Sequence, residues 1–581
     1  MREQLYRWKN KQIREHIAIL DGKKSPTKLL KNVHYLHSSL RRWMDGNIWI
    51  KDDRIVYAGK AIPENIADHC EIVDCSGQTV VPGYIEPHVH PFQLYNPHTF
   101  AKYVSQTGTT TIINDNLVFA LLLDKEKAFS LLRGLSQLPI TMYWWARFDS
   151  QTELENEEEV FSNESVKAWL EHESVLQGGE LTAWPKLLSG DDLMLHWIQV
   201  AKRANKKIEG HFPGASEKTI AKMALFGVDN DHESMTGKEI SRRLLHGMTV
   251  ALRHSSIRPD LPVLLKEIKE LGLDQYDAMF FTTDGSTPSF YENGVLDMMI
   301  RIALENGIPA IDAYNMASYN IARFYDIHHY HGMIATGRVA NLNILEDEKN
   351  PTPVSVLSKG KWLKRNNKDI SHFPTIDWKE FGFPPLDLSW DITSDDLQFS
   401  MPFGIEMVND VITKPYSVTL DFSLDELSLD HDESFLLLLD RNGKWRLNTM
   451  LKGFANKVTG FASSFSYTGD ILLIGKSKAD MVTAFNRLKE IGGGIVLAEN
   501  RTVIHEIPLP IGGIMSKMEM SQLIDQQKEL KKQLVKRGYQ FDDPVYSLLF
   551  FSSTHLPYIR VTQKGLIDVM NKTVLFPTIM R

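Results

Sequence analysis

The stretch Val81-Pro-Gly-Tyr-Ile-Glu-Pro-His88-Val-His90 sets two imidazoles two residues apart. Side chains alternate between the faces of an extended strand, so His88 and His90 point the same way and can reach one metal ion. A lone His-x-His pair is often accidental, but the surroundings of this one give it weight. A Pro-Gly turn leads into it, and further metal-competent side chains follow at the ends of apolar runs. His211 closes Lys207-Ile-Glu-Gly-His211, His232 sits in Gly227-Val-Asp-Asn-Asp-His232-Glu233, and Asp284 ends Ala278-Met-Phe-Phe-Thr-Thr-Asp284. Four histidines and a carboxylate so arranged are poorly explained as satisfied core residues. Their mixed nitrogen and oxygen donors suit Mn, Fe or Zn, in one or two ions. The chemistry implied is hydrolysis, because a divalent ion lowers the pKa of water enough to give hydroxide near neutral pH.

Such residues meet only if the chain brings strand ends together. From about residue 80 to 330, strand-like runs (109–113, 208–211, 248–252, 278–283) alternate with helix-length segments (193–205, 216–226, 238–246, 294–306). This suits a parallel (β/α)8 barrel, in which all C-terminal strand ends converge on one mouth. A doubly wound sheet would alternate too, so periodicity alone leaves both open. Residues 1–27 read as a helical lead-in, and 31–81 as short strands of a small β unit, to which 333–365 return. The Pro-, Asp- and Trp-rich stretch 366–400 reads as a linker, and a second α/β unit runs from about 401 to 581. A Gly492-Gly-Gly494 turn, a Leu509-Pro-Ile-Gly-Gly513 loop and a charged helix at 517–536 fall within it.

Bulk properties narrow the function. The 581 residues exceed what one core organises, and 43% hydrophobic with 24% charged residues is the balance of a folded globular protein. A net charge of −8, with acids and bases interspersed, speaks against a nucleic-acid surface. Two cysteines, Cys70 and Cys75, are too few for a secreted disulfide framework and read as small buried hydrophobes. The charged N-terminus offers no apolar signal core, and no apolar run is long enough to span a bilayer, so a cytoplasmic location is expected. The cysteine-zinc signature of one nucleobase deaminase class, the P-loop and the dinucleotide fingerprint are all missing.

Taken together, these segments resemble the amidohydrolase superfamily and, within it, the bacterial adenine deaminase family. Pro82 to His90 is similar to that family's first-strand motif, Gly108-Thr-Thr-Thr111 to its next strand, Glu209 to Gly214 to its fifth, Asp231-His-Glu233 to its sixth and Thr283-Asp284 to its eighth. Ala313 to Phe324 resembles the helix closing the barrel, Gly332 to Gly337 the return into the β unit, and the two glycine-rich tail motifs its C-terminal domain. The resemblance implies a (β/α)8 TIM-type metal-dependent hydrolase barrel over 81–330. A small β-sandwich would be built from both flanks (1–80 and 331–365), with a linker at 366–400 and a C-terminal α/β domain over 401–581. It implies a two-metal site bridged by a fourth-strand glutamate, which falls on Glu180 in Gly178-Gly-Glu-Leu-Thr. The ligand set is then His88, His90, Glu180, His211, His232 and Asp284. The implied reaction is hydrolytic deamination of adenine to hypoxanthine and ammonia in purine metabolism, with a related heterocycle, amidine or cyclic amide as the alternative substrate. Asp284, ligand and base, would take the water proton. Glu233 would protonate a ring nitrogen or orient His232. The expected partners are a small purine or related heterocycle and a second copy of the chain in a homodimer, with no nucleic acid and no membrane.

Departures from the family pattern gather near the expected pocket. An Asp-Pro-His-Glu-like string is replaced by Asn114-Asp-Asn-Leu-Val118, which puts Leu117 and Val118 where His and Glu are usual. Arg253-His-Ser-Ser256 stands for Arg-Glu-Gly-Ser, Gly285 for a second aspartate, and Tyr467-Thr-Gly-Asp470 for Asp-Ser-His-Asn. Class of chemistry is thus firmer than substrate. His98, His246 and His254 read as packing or surface histidines. The His328-His-Tyr-His331 run reads as a connecting loop rather than a metal tract.

Overall fold

The computed structural model describes residues 9–421 and 423–581. The lead-in is the helix Asn10–Leu20, and the part of that expectation at 1–8 lies outside the described residues. The strands Lys28–His37, Arg42–Lys51, Arg54–Gly59, Glu71–Asp74 and Thr79–Pro82 then join Leu342–Leu345, Ser355–Ser358, Lys361–Arg365 and Lys368–Asp369 in one sheet. Its two halves, far apart in sequence, meet where Thr79–Pro82 pairs antiparallel with Leu342–Leu345, Val80 opposite Ile344. Both Cys70 and Cys75 are buried and free.

Pro82 passes straight into the barrel. Eight parallel strands follow in sequence order: Tyr84–Val89, Thr109–Asp115, Thr141–Ala146, Val175–Leu181, Lys207–Gly210, Asn230–Asp231, Thr249–Arg253 and Met279–Thr282. Most read as unbroken buried runs, as a parallel sheet covered on both faces requires. The ring closes through side chains. Thr282 and Thr283 of the last strand end both donate their hydroxyls at 2.9 Å to Glu86 of the first, and burial pushes the Glu86 carboxyl up to about 7. The (β/α)8 reading therefore holds, and the doubly wound alternative does not.

The C-terminal unit is a mostly antiparallel nine-stranded sheet centred on Glu433–Leu439, Trp445–Lys452 and Ile471–Gly475, with the helix Lys478–Glu490 against one face. The helices Met520–Lys536 and Pro544–Phe550 and a three-stranded sheet (Ile559–Thr562, Gly565–Asp568, Thr573–Pro577) complete it. This unit lies against the barrel mouth. Asn96 Nδ2 donates to Ser516 O at 2.7 Å, Thr287 Oγ1 to Asp543 Oδ2 at 2.6 Å, Tyr546 Oη to Gly285 O at 3.1 Å and Thr554 N to Gln151 O at 2.8 Å.

The stretch 366–400 is a pinned strap rather than a loose tether. Its prolines preclude long regular elements, yet Trp378, Phe383 and Leu388 are buried. The Phe383 ring packs 5.8 Å from Phe119 of the barrel, and Leu386 N donates to Gly492 O at 2.8 Å. Among the described residues no helix is long and apolar enough to cross a membrane.

Candidate metal centre

All six residues named from the sequence stand at the C-terminal strand ends. His88 lies on the first strand and His90 one residue past it, Glu180 is on the fourth, His211 and His232 follow the fifth and sixth, and Asp284 follows the eighth. Their donor atoms form three overlapping triads whose members lie within 4.8 Å of one another: His88–His90–Glu180, His88–His232–Asp284 and Glu180–His211–His232. Glu180 is shared by the first and third. Its Oε1 lies 2.6 Å from His211 Nδ1 and 3.3 Å from His232 Nε2, while its Oε2 lies 3.9 Å from both His88 Nε2 and His90 Nε2. Asp284 Oδ1 closes the other side, 3.1 Å from His88 Nε2 and 3.2 Å from His90 Nε2. The donor set and its convergence fit a divalent transition ion.

The rings are aimed by carboxylates that the sequence reading quoted but gave no role. Glu209 reaches two of them, with Oε2 3.1 Å from His88 Nδ1 and Oε1 3.1 Å from His232 Nδ1. Asp115 accepts from His90 Nδ1 at 2.8 Å. The Asp115 and Glu209 hydrogen bonds take the Nδ1 protons of His90 and His232 and leave Nε2 facing the centre, the arrangement by which second partners set the tautomer of a metal-binding histidine, while Glu209 also stands within ion-pair distance of His88. Burial alone would raise both acids, but His88 and His232 hold Glu209 down to about 2, and Arg147 together with His90 holds Asp115 below its usual range. A signal was available for Glu209. An acid two residues before His211 shares its face, and an acid inside a buried strand is rare unless partnered.

Three arginines balance this anionic cluster. Arg147, fully buried past the third strand, places Nη2 2.7 Å from Asp115 Oδ2 and 2.8 Å from Glu180 Oε2. Arg253 joins Glu233 to Asp284, with Nη1 2.7 Å from Asp284 Oδ2, and Arg258 reaches the other Glu233 oxygen. Burial would raise Glu233, but His211, Arg253 and Arg258 hold it down to about 2; Arg253 and the histidines likewise keep Asp284 well below the usual carboxylate range. Glu233 Oε1 lies 3.6 Å from His211 Nδ1 and 3.5 Å from His232 Nε2. The orienting partner of His232 on its Nδ1 side is Glu209.

The altered positions separate into distinct cases. Leu117 and Val118 are buried in the apolar core on the helix Leu117–Leu122. Gly285 has φ +57°, and a Cβ there would stand 2.5 Å from the His90 backbone nitrogen. Any side chain at 285 would therefore collide with the strand end that carries a donor. Tyr467 comes from the C-terminal unit and reaches the barrel: with the Gln151 amide turned so that its oxygen accepts from Arg147, its nitrogen donates to Tyr467 Oη at 3.1 Å. His98 bonds Pro374 O at 2.9 Å, His246 ends a helix, and the His254 ring packs 5.7 Å from Phe290. His331 is buried against Tyr143, and His328 and His329 cluster with exposed Asp326 away from the mouth.

One further histidine stands at the centre. His555, from the C-terminal unit, meets His211 edge-on with centroids 5.6 Å apart at 90°, and burial together with His211 pushes it down to about 3. It lines a cleft of about 600 Å³ that runs between Gln151, Thr182 and Pro185 of the barrel and Pro557 and Ile567 of the tail.

Comparison with known proteins agrees with this geometry. Residues 79–363 match the amidohydrolase family, and residues 410–573 match the adenine deaminase C-terminal domain. A Bacillus cereus protein named "Putative adenine deaminase" is 57% identical over 99% of this chain and 97% of its own. A Bacillus subtilis relative with the same designation is 55% identical over the whole of both chains. The Kosmotoga olearia protein named "Adenine deaminase" is 29% identical over 96% of this chain and 97% of its own. Resemblance on this scale covers barrel and tail alike, and the chain belongs to the adenine deaminase family of the amidohydrolases.

Proposed function

We propose that this protein hydrolyses adenine to hypoxanthine and ammonia, with His88, His90, Glu180, His211, His232 and Asp284 holding one or two divalent ions of Mn, Fe or Zn. The observation that carries the reading is the convergence of those six side chains at the mouth of a barrel whose tail matches the adenine deaminase C-terminal domain. When bound, such an ion would supply hydroxide at neutral pH by acidifying water. Water adds at C6 of the purine, one of its protons passing to ring N1 and the other to the exocyclic nitrogen; the C6–N bond then breaks, ammonia leaves and C6 keeps the oxygen as a carbonyl.

The chain's own groups govern the protons. Asp284 has one oxygen on the histidines and the other on Arg253, so it stays ionised and able to accept a proton from water. Two arginines fix Glu233, which therefore enters the reaction as a proton acceptor that hands on what it receives. Arg147 holds Glu180 and Asp115 in register, and Glu209 fixes the His232 ring while facing His88 with its other oxygen.

A second reading, another heterocycle, amidine or cyclic amide as the substrate, is favoured by the altered segments Arg253-His-Ser-Ser256 and Tyr467-Thr-Gly-Asp470, which reach Asp284 and, through Gln151, Arg147 at the centre. The deciding experiment reconstitutes the chain separately with Mn, Fe and Zn and follows ammonia and hypoxanthine from adenine beside 6-substituted purines and cyclic amidines. Hypoxanthine formation with adenine preferred supports the first reading. Hydrolysis of another compound with no hypoxanthine under any metal replaces it with the second.

A further inference from the structure

Gln151 is joined to the C-terminal unit at two points. Its carbonyl oxygen accepts from Thr554 N at 2.8 Å, and its side-chain amide meets Tyr467 Oη at 3.1 Å, two tail residues far apart in sequence. The other end of the same amide stands 3.1 Å from Nη1 and 3.3 Å from Nη2 of Arg147. A guanidinium has donors only, so the amide oxygen is the atom that faces it, and the amide nitrogen donates to the tyrosine hydroxyl. Arg147 in turn places Nη2 2.8 Å from Glu180 Oε2 and 2.7 Å from Asp115 Oδ2, and Asp115 holds the His90 ring. Glu180 is the carboxylate shared by two donor triads. An unbroken polar chain therefore runs from tail to centre through Tyr467, Gln151, Arg147 and Glu180.

The backbone of Gln151 takes a second route to the same strand end. Its N–H donates to Asp149 Oδ1 at 3.2 Å, and that oxygen also accepts from Thr182 Oγ1 at 2.5 Å, two residues beyond Glu180. With backbone and side-chain polar atoms all engaged, Gln151 keeps a φ of +59°, a left-handed conformation that a residue with a Cβ holds only when its surroundings fix it. Tyr467, Gln151 and Arg147 are all buried, where hydrogen bonds are sheltered from water. The guanidinium is a rigid planar fork, so fixing one of its nitrogens fixes the direction of the other.

We propose that Gln151 is a positioning residue through which docking of the tail sets the metal centre. Tyr467 orients its amide, the amide pins the Arg147 fork, and the fork holds Glu180 where two donor triads share it. The C-terminal unit then governs metal retention although it supplies none of the six donors. This inference rests on the reading that those six side chains hold a divalent ion, and it is independent of which heterocycle is hydrolysed.

The test is a double-variant cycle on the full chain, with Mn and Zn affinities titrated separately against a competing chelator. It compares wild type, Gln151→Leu, Tyr467→Phe and the two combined. Gln151→Leu removes both amide atoms, and Tyr467→Phe removes only the hydroxyl. We expect affinity to fall about tenfold or more in Gln151→Leu, as for other partners that orient metal ligands, and about threefold or more in Tyr467→Phe. The combined variant should bind no more weakly than Gln151→Leu, because the hydroxyl acts through the amide. The rise in Tm on adding metal should shrink in the same order. A purely structural role would lower the metal-free and metal-loaded Tm alike and leave the chelator titration unmoved. Wild-type affinity in either single variant overturns the inference, as do losses that simply multiply in the combined one. Should Gln151→Leu fail to fold, Gln151→Met, which keeps the unbranched chain, takes its place under the same criteria. Wild type that binds no ion ends the metal reading and this inference together, whereas wild type that binds one beside unaffected variants ends the inference alone.

Discussion

Glu209 Oε2 stands 3.1 Å from His88 Nδ1, and the other oxygen of the same carboxylate stands 3.1 Å from His232 Nδ1. One side chain thus hydrogen-bonds one ring and lies within ion-pair distance of a second, the two belonging to neighbouring donor triads. Glu209→Gln keeps the shape but offers only one acceptor. Metal affinity should fall by about 10- to 100-fold, the usual loss for such partners, with the fold intact. Titration against a competing chelator reads this directly, and wild-type affinity in the variant would remove Glu209 from the metal-binding machinery.

Removing two donors that share one side of the centre is a harsher intervention. A His88→Ala, His90→Ala double variant takes nitrogens from two of the three triads. We expect elemental analysis after reconstitution to find one to two ions per chain in wild type and loss of them together in the double variant. Wild type that retains no ion with any of Mn, Fe or Zn would end the metal-hydrolase reading.

Asp284 bears on turnover more than on folding. Its carboxylate faces His88, His90 and Arg253 at the barrel mouth, where residues serve function rather than packing. Asp284→Asn should lower kcat by about 10²-fold or more, the usual share of a general base, with little change in Tm. Near-native turnover would shift the base role to Glu233.

Gly285 tests the mouth from the backbone side. Its φ of +57° and the 2.5 Å separation between a Cβ and His90 N leave no room for alanine. Gly285→Ala should destabilise the protein by about 1–2 kcal/mol for the left-handed conformation alone, and more once His90 is pushed aside. Thermal unfolding with metal bound should show a lower Tm together with weakened metal retention. An unchanged Tm would mean that the strand end yields freely.

Much of the centre could be read from the sequence because local chemistry is periodic. The two-residue spacing of His88 and His90 puts both on one face, and acids or histidines at the ends of apolar runs mark strand ends that a barrel must gather. Resemblance to known motifs added Glu180, which no spacing to the histidines marks. The tertiary structure then brought it between His211 and His232 on one side and His88 and His90 on the other. It also decided what no spacing encodes. The partners Glu209, Asp115 and Arg147 acquire their roles only when strands far apart in sequence lie side by side. Leu117 and Val118, which looked like lost pocket groups, face the apolar core because the helix that carries them turns inward. Gly285 is set by the close approach of His90, a contact between the first and last strands that exists only once the ring closes. His555 reaches His211 because the tail is packed over the mouth, and packing between units far apart in the chain depends on complementary surfaces rather than on any period in the sequence.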